Sequence, residues 1–233
     1  MAFMTYITEE RTALSEDALI ERLKALPTAA VSDALDALGI AGQLLGVAPR
    51  TATGTAAGRA FTVRYEPVDE HGGTVGDFLD EVPAGHVVVI ENAARTDCTV
   101  WGGIMSRVAA ARGVAGTVVY GACRDLAASE QAGYALWSSA VFMRTGKDRV
   151  RCAEVQGRVQ IAGVAVAPSD YVLADADGVL VIPANRVEEV LALAEEIERT
   201  ETAIAEAAIE GGSLVAARTS FGYHALQSAR DSR

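Results

Sequence analysis

The sequence predicts an α/β protein, and three observations carry that prediction. Two continuous apolar runs, HVVVIE from His86 and GTVVY from Gly116, have strand length and are bounded by turn signals. The stretches WGGIMSRVAAARG and RDLAASEQAG carry helical spacing and alternate with those runs, so strand, helix, strand and helix succeed one another as in a right-handed parallel crossover. Near the end, RVEEVLALAEEIERTETAIAEAAIE predicts one long amphipathic helix.

Taken in order, Ser15 caps an amphipathic helix through EDALIERLKAL, with Leu19, Leu23 and Leu26 on one face and Pro27 closing it. A second helix, VSDALDALG, ends at Gly39. GRAFTVRY alternates like a half-buried strand, and TVGDFLDEV reads as a short helix. In the central unit Ile104, Val108 and Ala111 form the apolar stripe of a helix that stops at Gly113, and Gly121 lets the chain turn after the next strand. The later runs ALWSSAVFM, GRVQIAGVAV, YVLAD and GVLVIP, separated by turns at Pro168-Ser169-Asp170 and Asp177-Gly178, suit a second, more antiparallel sheet. Asn185 is placed as the cap of the last helix, with Glu188 at the capping-box position, and the Gly211-Gly212 pair stops it before a tail. One domain over 1–233 is the simplest organisation, with N-terminal helices at about 15–39, a core at about 54–183, and the C-terminal helix and tail at 185–233.

Composition narrows the function. Half of the residues are apolar, enough for a sizeable core, and the formal charge of -11 disfavours a nucleic-acid partner, because an acidic surface repels a polyanion. Cys98, Cys123 and Cys152 are widely separated and odd in number, which fits a reducing compartment and the cytoplasm. The opening MAFMTYITEERT lacks the basic and apolar regions of a signal peptide, and no apolar run approaches the ~20 residues that span a bilayer, so no membrane partner is expected.

Arg124 and Asp125 stand side by side just beyond a predicted strand end, where ligands gather in parallel α/β units. They read either as a structural ion pair or as part of a site. Gly102 and Gly103 open the helix after the preceding strand, so unpaired N–H groups and the positive end of a helix dipole face the same sheet edge. Glycines there also serve tight packing. Together, the amide cradle and the guanidinium suit a small carboxylate, and Asp125 suits a hard divalent cation. Glu201 continues the apolar stripe of the last helix between Ile197 and Ile204, as a subunit salt bridge or as an acid aimed at a metal or its water. His71, His86 and His224 show no metal-ligand spacing, and Ser32, Ser106 and Ser129 lack a G-x-S-x-G context. Asp77, Arg95, Asp97, Arg144 and Lys147 read as solvated charges, and no phosphate-loop or dinucleotide glycine fingerprint is present.

The stretch GHVVVIENAARTDCTVWGGIMSRVAAARGVAGTVVYGACRD, with VSDALDALG before it and VAPSDYVLADADGVLVIP after it, resembles the RraA-like family. That family includes metal-dependent pyruvate aldolases acting on 4-hydroxy-4-methyl-2-oxoglutarate. The resemblance implies a swivelling β/β/α three-layer sandwich, assembled as homotrimers or homohexamers with sites between subunits. It implies that Arg124 contacts a 2-keto acid, that Asp125 ligates Mg2+ or Mn2+, and that backbone amides of Gly102, Gly103, Ile104 and Met105 hold the substrate carboxylate. It also implies that Glu201 reaches a metal-bound water from the neighbouring subunit. Gly103 stands where the characterised aldolases carry an aspartate, and Ala128 stands where some relatives carry an acid. Both departures weigh on aldol proton transfer more than on decarboxylation. Ribonuclease-regulating members lack the Asp that this chain keeps. The expected activity is therefore a lyase cleaving the C–C bond next to a pyruvoyl unit, as a 4-hydroxy-2-keto acid aldolase, an oxaloacetate decarboxylase or both. The alternative is a non-catalytic oligomeric regulator that binds a partner such as a ribonuclease.

Overall fold

The computed structural model describes residues 14–52, 54–70 and 74–223. MAFMTYITEERT, His71 and His224 lie outside the described residues.

Two helices come first, α1 (Glu16–Lys24) and α2 (Thr28–Ala37). Ser15 Oγ accepts from the Ala18 N–H at 3.3 Å, the cap that the sequence predicts. The strands are β1 (Ala48–Pro49), β2 (Ala56–Pro67), β3 (Val87–Trp101), β4 (Gly116–Cys123) and β5 (Leu136–Val141). They are followed by β6 (Val150–Val155), β7 (Val159–Ile161), β8 (Val164–Val166), β9 (Tyr171–Ala174) and β10 (Val179–Ile182). Helix α3 (Gly103–Ala111) follows β3 and α4 (Leu126–Gln131) follows β4. The chain closes with α5 (Val187–Ile209) and α6 (Leu214–Ser220).

Strands β2, β3, β4 and β5 are parallel neighbours: β3 and β4 realise the predicted crossover unit, whereas β5, from the run ALWSSAVFM, extends this parallel set instead of joining the second, more antiparallel sheet expected for it. The sheet continues in the order β1-β5-β4-β3-β2-β9-β10, with β6 paired antiparallel to the second half of β2. The later antiparallel strands divide: β7 and β8 form a separate two-stranded sheet, whereas β9 and β10 join the main one through Ala56–Arg59 of β2. The twelve-residue β2 therefore belongs to both an antiparallel and a parallel arrangement.

Side-chain alternation sorts the apolar runs into layers. Val87 and Val89 of β3 and Val118 of β4 face the strands Val172, Ala174, Val179 and Val181, making a sheet-on-sheet core. Val88, Ile90 and Val119 point the other way, toward Ala109 of α3. On the far side Leu173, Leu180 and Ile182 pack against Leu23, Leu35, Val190 and Leu191 of the terminal helices. Each run is covered on both faces, hence its lack of polar positions.

Several local expectations change. TVGDFLDEV tightens to a 3-10 turn at Asp77–Glu81. Ile104 does not face the core: it is 73% exposed, and α3 instead buries Ser106 and Ala109, small side chains that let it lie close to the sheet. Gly121 is not a turn but an interior position of β4, where a Cβ would sit 3.0 Å from that of buried Asn92. Asn185 does not cap α5, because Ala184–Arg186 forms a 3-10 turn that delivers the chain from Pro183 directly into the helix. The expected tail contains α6, capped by Ser213 Oγ on the Ala216 N–H.

Candidate active site

The carboxyl ends of β3 and β4 bring the predicted pairs together. Trp101 is the register partner of Cys123, and the Arg124 N–H donates to the Trp101 carbonyl at 3.0 Å, so the turns into α3 and α4 lie side by side. Asp125 holds a left-handed backbone (φ 59°, ψ 42°) at the entry to α4, a conformation that aspartate tolerates better than most residues. Its carbonyl accepts from the Ala128 and Ser129 N–H groups, and its Oδ2 accepts from the Gly103 N–H at 3.0 Å.

Glycine at 102 and 103 is required by proximity rather than by backbone angle. A Cβ at Gly102 would lie 2.9 Å from Asp125 Oδ2 and 3.3 Å from Arg124 Nε. A Cβ at Gly103 would lie 2.8 Å from Ala128 Cβ. The first turn of α3 thus meets the Arg124-Asp125 pair with nothing between them. Gly103, Ile104 and Met105 occupy that turn, where N–H groups have no carbonyl four residues back. Gly103 is engaged by Asp125, which leaves the Ile104 and Met105 N–H groups for an anion, aided by the helix dipole.

A buried relay holds this geometry. The Trp101 indole N–H donates to Ser106 Oγ at 2.9 Å, Ser106 Oγ lies 2.7 Å from Ser129 Oγ, and Ser129 Oγ donates to the Asp125 carbonyl at 3.4 Å. Ser106 and Ser129 are fully buried, so each is costly to leave unpaired, by about 1–3 kcal/mol. These serines join α3, α4 and β3 rather than acting as nucleophiles.

Arg124 and Asp125 are partly exposed, at 38% and 50%, with Arg124 Nε 3.5 Å from Asp125 Oδ2. They form an ion pair at that distance, but it does not use up either side chain. Arg124 Nη1 donates to the Met143 carbonyl at 3.3 Å, and both side chains line a cavity of about 240 Å³ together with Gly102, Gly103, Ile104 and Met105. Its other wall is Val75, Thr99, Val100, Trp101 and Thr145. Two larger hollows carry no such pair. One, near Gln43 and Ser32, has its amide already bonded to Ser32 and Asp36, and the other is an open apolar face of α3 around Ile104 and Val108.

The oxygen donors here suit a divalent cation only in part. Asp125 Oδ2 is taken by the Gly103 N–H, whereas Oδ1 accepts no hydrogen bond among the described residues, and Asp125 lines the cavity. Among the described residues no three His, Cys, Asp or Glu side chains gather into a metal cage. A single free carboxylate oxygen fits Mg2+ or Mn2+, which keep most of their water and share coordination with substrate, and it does not fit a closed structural site.

Glu201 lies elsewhere in the chain. It is half-buried on α5 between Ile197 and Ile204, as its stripe position predicts, and lines no part of the cavity. Burial raises its carboxyl above the ordinary range, Asp33 and Glu198 add to that, and a hydrogen bond with Tyr223 opposes it. His86 sits with Nδ1 3.4 Å from the Ala84 carbonyl, away from the cavity. Sequence reasoning missed Val75, Thr99 and Thr145 as wall residues. The one trace of Thr145 is the β-bridge it forms with Thr99, a pairing that no local pattern announces.

Known proteins share this chain's sequence pattern and fold. Residues 28–181 match the family described as RraA-like, Aldolase/RraA. Protein DlpA of Legionella pneumophila is 37% identical over 208 residues, which covers 88% of this chain, and the chain spans about a third of that relative's length (34%). The 4-hydroxy-4-methyl-2-oxoglutarate aldolase of Thermus thermophilus is 32% identical over 127 residues, covering 54% of this chain and 75% of the relative. A Pseudomonas syringae pv. tomato protein of known structure superposes with a TM-score of 0.82 at 38% identity, covering 89% of this chain and 99% of that one.

Proposed function

The chain belongs to the RraA-like family, and on that premise we propose that it is a divalent-metal-dependent lyase cleaving the C–C bond next to a pyruvoyl unit. The observation that carries this reading is the convergence of the α3 N-terminus, Arg124 and Asp125 on one cavity. The Ile104 and Met105 N–H groups hold the carboxylate of a 2-oxo acid, and Arg124 faces its 2-oxo oxygen. As the C–C bond breaks, its electron pair moves onto that oxygen, and Arg124 stabilises the developing enolate charge. A cation held at Asp125 Oδ1 would supply Lewis-acid polarisation of the same oxygen.

Decarboxylation of oxaloacetate needs no base: carbon dioxide leaves, and C3 then takes a proton from water to give pyruvate. Aldol cleavage also requires a group to remove the hydroxyl proton. Asp125 is the one carboxylate lining the cavity among the described residues, with glycine at 103 and alanine at 128. The chain's own residues therefore favour decarboxylation. In a homotrimer or homohexamer, Glu201 of the partner subunit is the acid that completes an aldolase.

The test is a screen of oxaloacetate and 4-hydroxy-2-oxo acids with Mg2+ or Mn2+, following pyruvate through lactate dehydrogenase. Release from at least one of them is expected. Absence of release from the whole panel, combined with capture of a protein partner, would replace the lyase with the regulator.

A further inference from the structure

Arg124 and Asp125 are the only ionisable side chains lining the cavity among the described residues, and the proposed function engages both at the 2-oxo acid end. Apart from two threonines and two glycines, the rest of the lining is Val75, Val100, Trp101, Ile104 and Met105. Arg144 and Lys147 stand near Thr145 in the chain but do not line the cavity themselves. The Thr145 hydroxyl is itself engaged, accepting from the Lys147 N–H at 3.2 Å.

Three of the apolar side chains form one corner. Met105, in the first turn of α3, is half-buried, and its tip lies against Gly76, where a Cβ would sit 3.2 Å from Met105 Sδ and 3.3 Å from its Cε. That contact sets Val75 beside α3, and Val75 and Met105 both pack on the apolar layer that contains Val100 and Trp101. Ile104, next to Met105, lines the cavity while 73% exposed, which places it at the mouth. On the side of Arg124, Met143, whose carbonyl accepts from the guanidinium, is 75% exposed. Large apolar side chains left in solvent around one opening mark a binding surface rather than a covered core.

We propose that the remainder of the substrate, beyond its 2-oxo acid unit, is an uncharged hydrocarbon tail held by Val75, Ile104 and Met105. The inference rests on the cavity being a 2-oxo acid site, and it names which of those acids the site prefers. With Arg124 and the α3 amides engaged by the 2-oxo acid end, a second carboxylate on the tail would meet this wall with no cation to pair with, whereas each methylene placed there leaves water. Oxaloacetate is compatible with the wall because its second carboxylate leaves as neutral carbon dioxide.

The experiment is calorimetric titration, in Mg2+, with pyruvate, 2-oxobutanoate, 2-oxopentanoate, 2-oxohexanoate and 2-oxoglutarate, the last matching 2-oxopentanoate in chain length but ending in a carboxylate. Wild type is expected to bind about three- to fourfold more tightly for each added methylene, the scale of burying one such group, and to bind 2-oxopentanoate more tightly than 2-oxoglutarate. In Val75→Ser/Ile104→Ser the rise per methylene, measured against that protein's own affinity for pyruvate, is expected to shrink. In Val75→Lys the preference between the two five-carbon acids is expected to reverse. Affinity that does not rise with chain length, tighter binding of 2-oxoglutarate by wild type, or a rise that the double variant keeps in full overturns the proposal. Flat affinity with self-association lost in Ile104→Ser assigns the apolar mouth to a second copy and overturns it as well. Because binding is read without turnover, a chain-length preference in a protein that releases no pyruvate sinks the lyase reading and leaves this one standing, and pyruvate release without the preference does the reverse. Binding of none of the acids removes both.

Discussion

Substitution of Gly103 by alanine tests the packing that brings α3 onto the Arg124-Asp125 pair. The new Cβ would meet Ala128 Cβ at 2.8 Å and Asp125 Cβ at 3.2 Å, whereas ordinary contact begins at 3.4 Å, so α4 and α3 must separate by 0.6 Å. Overpacking of this kind costs about 1–3 kcal/mol. For a chain of this size that lowers Tm by about 2–12 °C. The same displacement moves Asp125 and the α3 amides apart, and since a 1 Å misplacement costs roughly a hundredfold in rate, kcat/KM should fall by about tenfold. Ala128→Gly removes the atom that clashes, at a helix cost of about 0.5–1 kcal/mol. The double variant is therefore expected within about 1 kcal/mol of wild type, with most of its activity back. Thermal melts and pyruvate release on wild type, both single variants and the double complete the cycle. A Gly103→Ala protein with wild-type Tm and rate refutes the reasoning, and so does a loss that Ala128→Gly leaves unrelieved.

Two further outcomes follow from half-buried carboxylates. Asp175 caps α2, its Oδ2 accepting from the Thr28 N–H at 2.9 Å and its Oδ1 from the Thr28 hydroxyl and the Asp177 N–H. Burial pushes its carboxyl up, but hydrogen bonds from Thr28, Asp177 and Gly178 together outweigh burial and bring it below 3.8. Asp175→Ala should cost about 1–2 kcal/mol above that value, and the difference in urea midpoint from wild type should shrink as pH falls through the lowered folded value; a constant difference down to strong acid contradicts the cap. Glu201 has the opposite sign. Its folded carboxyl is raised, so the folded protein binds a proton that the unfolded chain has released, and stability is lost as pH rises above the ordinary value of 4.5. Glu201→Gln should raise Tm at neutral pH and lower pyruvate release, and a Tm gain of the same size near pH 4 would contradict this account.

The parallel unit was legible because its strands are buried on both faces and cannot be anything but apolar, as in Val87–Ile90 and Val118–Val119. Gly102, Gly103, Arg124 and Asp125 were legible as one site for a related reason: parallel strands put successive loop starts on the same edge. What escaped depends on the third dimension. Ser106 and Ser129 are 23 residues apart and meet only because α3 and α4 pack through small side chains. The Ile104 stripe satisfied helical periodicity, yet a helix can seat its small face and leave the large one in solvent. Strand β6, with Arg151, Cys152 and Glu154 among its six residues, has too mixed a pattern to announce itself, and it forms because the second half of β2 offers an edge. The segment of Arg144 and Lys147 read as solvated charge because its anchor is a backbone bond to Thr99, which carries no side-chain signal.

On the proposed function, Arg124 and a cation at Asp125 jointly stabilise the enolate of a 2-oxo acid held at the start of α3. Pyruvate release from the preferred substrate, compared among wild type, Arg124→Ala and Asp125→Asn in Mg2+ and in excess EDTA, tests it most directly. At least a hundredfold fall, roughly the loss seen when one charge-stabilising donor is removed, is expected for each variant, with loss in EDTA restored by added Mg2+. Full activity in EDTA, or variants as fast as wild type, would contradict it.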